Sequence, residues 1–195
     1  MGRRPLITRD GAARAALEIV DEGGPAALSL ERLAAALSVR APSLYNHFTD
    51  KAEILAEVAR IIVLDTPRVP DPEPGRWQEW LVEETTLFRR SLLQHPRAVQ
   101  LVVEHLPQPL LVRLYQQYSR LLAAHGVPER MHLFLLEAAH RMAIGSAIST
   151  ANGRAALQSL DPGSGDGPPV APDEEDERRF VEMVRTFLRG VDREI

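Results

Sequence analysis

The sequence predicts an all-α protein in two parts, an N-terminal three-helix head of helix-turn-helix type and a larger C-terminal helical body. Three observations lead there. Every persistent apolar pattern recurs at three- and four-residue spacing, and no alternating strand pattern appears. The stretch Thr66 to Gly75, TPRVPDPEPG, carries four prolines in ten residues and reads as a linker. Between Ser29 and Lys51, two short helical patterns flank a tight break, and the second is too poor in apolar residues to be stable alone.

Composition sets the outer limits. A chain of 195 residues with 45% hydrophobic and 26% charged residues is ordinary for a soluble globular protein. With no cysteine, disulfides and thiol chemistry are excluded, which fits a reducing compartment. No apolar run approaches the roughly 20 residues that a membrane span needs. The N-terminus, MGRRPLITRDG, has no apolar stretch behind its basic residues, so a secretory signal is not expected and a cytoplasmic location is. The net charge of −4 gives a nucleic-acid reading no support. Residues 1–65 hold eight Arg/Lys against nine Asp/Glu, and only Arg3, Arg4 and Arg9 make a locally basic cluster.

In chain order, residues 8–23 read as a first helix, with Thr8 as N-cap and Ala13, Ala16, Leu17 and Val20 as its buried stripe. Gly23-Gly24-Pro25 stops it. Ser29 caps a second helix carrying Leu30, Leu33, Ala34 and Leu37 on one face. Ser38 to Arg40 interrupt the pattern, and Pro42 opens a third helix with Leu44 and Phe48 inward. A fourth helix follows the Thr49-Asp50 cap, with Ile54, Leu55, Val58, Ile61 and Ile62 at helical spacing.

Beyond the linker, Trp77 to about His95 forms a long helix, and Pro96 starts the next, to about Val103. Pro107 and Pro109 end that one, and Leu110 to His125 is another. Residues 129–151 are apolar nearly all round, which demands burial on more than one side. Residues 152–172 are rich in Gly, Pro and Ser and read as a mobile loop. The last helix, 173–193, starts with acids and ends with arginines, in keeping with the helix macrodipole.

The segment VRAPSLYNHFTDK resembles the recognition helix and following junction of TetR-type transcriptional repressors, V-x-x-x-(T/S)-(L/V/I)-Y-x-(H/Y)-F-x-x-K. Val39, Ser43, Leu44, Tyr45, His47, Phe48 and Lys51 match. The resemblance implies that Tyr45, His47 and Lys51 contact phosphate. It implies that Ala41, Pro42, Ser43 and Asn46 face base edges in the major groove, and Arg40 reaches a guanine or a phosphate. Glu31 departs from the arginine that tetracycline-binding members carry near this place, and Ser38 replaces the commonest glycine of the turn. A non-glycine residue there has to adopt an unusual backbone angle.

The body is similar to the ligand domain of tetracycline-type repressors at Trp77, Phe88, Leu92, Leu93, His95 and Gly145. That likeness implies a magnesium-binding histidine near position 102, where this chain has Val102; His105 lies one turn later. Neither a metal nor a cofactor is therefore expected. The candidate ligand cavity is lined by Trp80, Phe88, Leu101, His105, Tyr115, Tyr118, Phe134 and His140, aromatic side chains with a few polar tips. Each of these residue types serves a helical core equally well. The six histidines show no i, i+4 pairing, and no nucleophile elbow, phosphate loop or Glu-x-x-His bundle is present, so no enzyme is expected.

Taken together, residues 1–65 are expected to form a DNA-binding domain with its connecting helix, and residues 66–195 a ligand-binding and dimerisation domain. Dimerisation is expected through helices 129–151 and 173–193. The expected function is ligand-responsive regulation of transcription, repression at a pseudopalindromic operator relieved by a small molecule, with activation as the alternative. A helical enzyme and a ligand-binding bundle with a vestigial head are the competing classes.

Overall fold

The computed structural model describes residues 7–152 and 174–191, and among these it contains helices and no strand. They group into two compact units. One comprises residues up to 65 together with 95–110, the other 66–94 together with the residues from 111 onward. Arg3 and Arg4, most of the loop expected over 152–172, and Asp173 and Arg193 lie outside the described residues.

In the first unit, α1 (Arg9–Gly23) starts at Thr8, whose Oγ1 accepts from Gly11 N at 3.0 Å. Ala12, Ala13, Ala16, Leu17, Ile19 and Val20 are buried, and the helix stops at Gly24, φ 76°. A Cβ on Gly23 would stand 2.6 Å from Ala27 Cβ, so this stop needs a residue without a side chain. Helix α2 (Leu30–Ala36) is capped by Ser29 Oγ, which accepts from Arg32 N at 3.1 Å. Helix α3 (Lys51–Leu64) is capped by Asp50 and buries Ile54, Leu55, Val58, Ala59, Ile61, Ile62 and Val63. It packs against α1 and against α5 (Val99–His105), which supplies Val99, Leu101 and Val102.

Between α2 and α3 the expected third helix is not an α-helix. Ala41–Asn46 is a six-residue 3₁₀ helix. Pro42 supplies no N–H, and Ser43 N bonds back to Arg40 O at 2.8 Å, so the chain closes tighter three-residue turns. Pro96 likewise does not open a helix; α5 begins only at Val99, after a turn. That turn is tied to the end of α1, where His95 Nδ1 lies 2.8 Å from Asp21 Oδ2 and Arg97 donates to the Asp21 carbonyl at 2.7 Å.

The remaining helices are α4 (Trp77–Gln94), α6 (Gln108–Ala124), α7 (Glu129–Ala151) and α8 (Glu174–Val191). Pro109 does not end a helix but sits in the first turn of α6, where a missing N–H costs nothing. In the second unit α4 packs against α7 and α8 around Trp77, Trp80, Leu81, Leu135, Leu136 and Phe180. Thr85 and Thr86 are buried on α4 and satisfy their hydroxyls on the carbonyls of Leu81 and Val82.

The strongest polar tie in this unit is Arg89, fully buried on α4. Its Nε donates to Ser146 Oγ at 2.8 Å on α7, its Nη2 pairs with Asp176 at the start of α8, and its guanidinium lies 5.0 Å from the Phe180 ring. One residue on, Arg90 makes a bidentate pair with Glu177 at 2.5 and 2.6 Å, but the Arg90 side chain is 53% exposed. Removing one partner of a buried pair strands the other charge, so Arg89→Ala is expected to lower stability by about 3–5 kcal/mol. Arg90→Ala, in a solvent-screened pair, is expected to lower it by less than about 1 kcal/mol. Urea denaturation followed by circular dichroism measures both.

Candidate nucleic-acid interface and ligand cavity

Ser38 has φ 54°, in the left-handed region, as its place in the turn requires. This lets Val39 N bond to Ala34 O at 2.9 Å, and the chain turns directly into the 3₁₀ segment. With three residues per turn, Ala41, Leu44 and His47 share one row, Pro42 and Tyr45 a second, and Ser43 and Asn46 a third. Leu44 is fully buried, which turns the other two rows outward, and Phe48, just beyond the segment, is nearly buried as well. Pro42 and Asn46 are exposed, Tyr45 is 59% exposed, and Ala41, Ser43 and His47 are half-buried. The Arg40, Tyr45 and Asn46 side chains make no hydrogen bond or ion pair among the described residues. The structure thus presents Arg40, Pro42, Tyr45 and Asn46 on one small surface, with Ser43 beside them.

The segment is fixed from its far side. Arg9 on α1 donates to the His47 carbonyl, to Glu53 Oε1 at 2.7 Å and to Glu57 Oε1 at 3.2 Å, and its guanidinium lies 4.8 Å from the Phe48 ring. Arg9 therefore serves as a joint, not as part of a loose basic arm. Glu53 also accepts from Thr49 N at 2.7 Å and from Thr49 Oγ1 at 3.0 Å. The Thr49 amide first, then Arg9, hold the Glu53 carboxyl down to about 2. Lys51 Nζ donates to the Pro25 carbonyl at 3.0 Å, which uses one of its three N–H groups. Glu31 is exposed, and its carboxyl is lowered by its own backbone amide and then by Ser29. It serves the start of α2.

In the second unit a cavity of about 380 Å³ opens beside α4 and α6. Of the eight residues named from sequence, Trp80 and Tyr118 line it, their rings edge to face at 5.3 Å. Phe88, Tyr115 and His140 form a separate cluster, with ring centroids 5.3 Å apart for Phe88–His140 and Tyr115 Oη 3.3 Å from His140 Nδ1. Burial keeps the His140 imidazolium unfavourable and pushes the Tyr115 phenol up. Phe134 is 52% exposed and stacks on Phe187 at 5.7 Å. Leu101 and His105 belong to α5 in the first unit.

Sequence reading missed the polar wall of the cavity. Glu84, buried, accepts from Val69 N at 2.8 Å and from Tyr118 Oη at 3.0 Å, and Arg68 lies beside it. Burial first, then Glu84, push the Tyr118 phenol far up, so it stays a donor. The signal was present, because Trp80, Glu84 and Phe88 fall at i, i+4, i+8 on one helical face, an acid between two aromatics. The magnesium implied by the tetracycline-type likeness does not fit these residues. Val102 is an aliphatic side chain buried in the first unit, and no group of three His, Cys, Asp or Glu among the described residues could hold a metal.

A family model described as bacterial regulatory proteins, tetR family, matches residues 13–58. An HTH-type transcriptional regulator of Saccharopolyspora erythraea is 35% identical over 98 residues, covering 50% of this chain and 41% of the relative, so this match spans less than half of that protein. The class D tetracycline repressor protein of Escherichia coli is 23% identical over 193 residues, covering 94% and 88%. Among solved structures, ActR of Streptomyces coelicolor in complex with actinorhodin superposes with a TM-score of 0.77 at 24% identity, covering 95% of each chain. No helix among the described residues is long and apolar enough to cross a membrane.

Two expected outcomes follow from the head geometry. A β-branched residue resists positive φ, so Ser38→Val is expected to lower stability by about 1–3 kcal/mol while Ser38→Gly does not, measured by thermal denaturation. Because folding lowers the Glu53 carboxyl from its ordinary 4.5 to about 2, its contribution is present above pH 4.5 and is lost as pH falls toward 2. The stability gap between the wild type and Glu53→Gln is expected to close over that window, which denaturation at a series of pH values measures.

Proposed function

We propose that the chain, whose residues 13–58 match the model of the tetR family of bacterial regulatory proteins, is a ligand-responsive transcriptional regulator of that family acting as a repressor. The observation that carries this reading is the 3₁₀ segment. It has two apolar anchors turned inward and Arg40, Pro42, Tyr45 and Asn46 outward without partners among the described residues. Residues 1–65 act as the DNA-binding domain with α3 as the connecting helix, and residues 66–195 as the ligand-binding and dimerisation domain. Tyr45, His47 and Lys51 meet phosphates and set the register, while Ala41, Pro42, Ser43 and Asn46 face base edges. Arg40 takes a guanine or a phosphate. Lys51 does so with the N–H groups that Pro25 leaves over.

The protein acts as a homodimer through α7 and α8. Leu133 and Phe134 on α7 and Met183 on α8 are 56%, 52% and 45% exposed, large apolar side chains that a second copy would cover. The two heads then read half-sites of a pseudopalindrome about one helical turn apart, ~34 Å. A small molecule in the cavity changes the spacing between heads and releases the operator, which requires different affinities for the two states. The relatives support such an effector, since one is named for tetracycline and another was solved with actinorhodin. A TetR-type activator is the second reading of the same architecture. The reading implies no catalysis and a place in the cytoplasm.

Gel-shift or anisotropy titration of an inverted repeat from the flanking DNA, at several salt concentrations, tests the proposal. Tyr45→Ala and Lys51→Ala are each expected to weaken binding about ten-fold, and Lys51→Ala to reduce the salt slope by about one. Binding that ignores salt, or that both variants retain in full, sinks the DNA-binding reading. If DNA binds but no small molecule or metabolite extract weakens it, the ligand-responsive half fails.

A further inference from the structure

The cavity of the second unit already holds a cation of the protein's own. Arg68 comes from the proline-rich segment that follows α3. Its guanidinium lies 5.9 Å from the Tyr118 ring centroid, donates through Nη1 to the Tyr118 hydroxyl, and stands 3.9 Å from Glu84 Oε2. The two charges sit in different surroundings, because the Glu84 side chain is 7% exposed and that of Arg68 37%. The direct hydrogen bonds to Glu84 come from neutral groups, Val69 N and Tyr118 Oη. Its buried negative charge therefore has an opposite charge nearby, but not one in hydrogen-bond contact.

A buried carboxylate gains most from a charge-assisted hydrogen bond, which is shorter and stronger than one from a neutral donor. The walls beside it suit a cation, since Trp80 and Tyr118 both line the cavity and the Tyr118 ring already has a guanidinium 5.9 Å from its centroid. Asp71 and Arg120, also at the cavity, carry opposite charges, so Glu84 sets the sign once Arg68 moves away. Trp80 Nε1 is buried with no hydrogen-bond partner among the described residues, an unmet donor on a wall residue. Arg68 itself is solvent-screened, and such pairs hold weakly.

We propose that the effector is a flat aromatic cation, an amidinium or ammonium, that bonds directly to Glu84 and displaces Arg68 from Tyr118. Arg68 is then a tethered stand-in for the ligand. Its release removes one tie of the segment that leaves α3 at Asp65, and the same carboxylate that receives the ligand holds another, at Val69 N. Ligand binding is in this way read by the stretch of chain that follows the connecting helix. The inference rests on the cavity being the effector site, as argued above.

Isothermal titration of the full-length protein with 2-naphthamidine and 2-naphthamide separates charge from shape, because the two molecules are nearly isosteric. Naphthamidine is expected to bind at least about ten-fold more tightly than naphthamide. Arg68→Ala is expected to tighten naphthamidine by about three- to five-fold and to leave naphthamide unchanged. Glu84→Gln is expected to erase the preference, with circular dichroism confirming that the variant is folded. Equal binding of the two probes overturns the cation class and leaves the cavity as an effector site for neutral molecules. Unchanged or weaker naphthamidine binding in Arg68→Ala overturns the displacement, a result independent of whether Glu84→Gln folds. If neither probe binds, this inference fails, whereas the ligand-responsive reading still stands or falls on operator release by other small molecules.

Discussion

One guanidinium joins the 3₁₀ segment of the head to the helices around it. Arg9 joins the first turn of α1 to the carbonyl that ends the recognition segment, to the first two turns of α3 and to the Phe48 ring. A six-residue 3₁₀ helix with two apolar anchors cannot hold its own geometry, since nucleating a turn is unfavourable and three-residue turns have poorer hydrogen bonds. Its shape is borrowed from its neighbours. Leu44 and Phe48 supply the apolar part of that loan, and Arg9, helped by Thr49 and Glu53, supplies the polar part. No single term is large in a partly exposed network, and the geometry of the segment rests on their sum.

The same use of arginine recurs in the body and explains why net charge was a poor guide. Arg89 ties α4 to α7 and α8 from a fully buried position, Arg97 caps carbonyls at the end of α1, and Arg68 rests against Tyr118 in the cavity. Counting these residues as surface charge, available to phosphate, assigns them to the wrong role. For the proposed DNA contact, what matters is the smaller set whose side chains have no hydrogen-bond or ion-pair partner among the described residues, and around the 3₁₀ segment that set includes Arg40, Tyr45 and Asn46.

Where sequence signals were local and backbone-driven, they were legible. Thr8, Ser29 and Asp50 are helix caps because a side-chain oxygen one residue before an apolar periodic run has an orphan amide to meet. Ser38 stood in a turn that favours glycine and does adopt positive φ. The 3₁₀ character of Ala41–Asn46 was not legible, because Leu44 and Phe48 at four-residue spacing fit an α-helix as well, and only the closing hydrogen bonds decide. Few of the cavity residues were legible. Trp80 and Tyr118 followed from aromatic spacing, but Phe134 was misplaced because a helix apolar on all sides does not say which side faces in. Arg68 lay in the segment read as a linker, and Glu84 in the long helix from Trp77 with no role assigned to it.

The borrowed shape of the recognition segment bears on how regulation can work. Its ties lie within the first unit, on α1, α2 and α3, so under the proposed reading the side chains that would meet DNA are held by those helices together. A signal that distorted the segment itself would have to break the Arg9 joint and unseat two buried side chains together. Under the proposed repression, a signal that shifts α3 as a body would leave those contacts intact. For a dimer reading two half-sites at a fixed separation, such a displacement is enough, because each head can be complementary to its half-site and still miss it. Under the proposed repression, differential affinity would then reside in the spacing between heads.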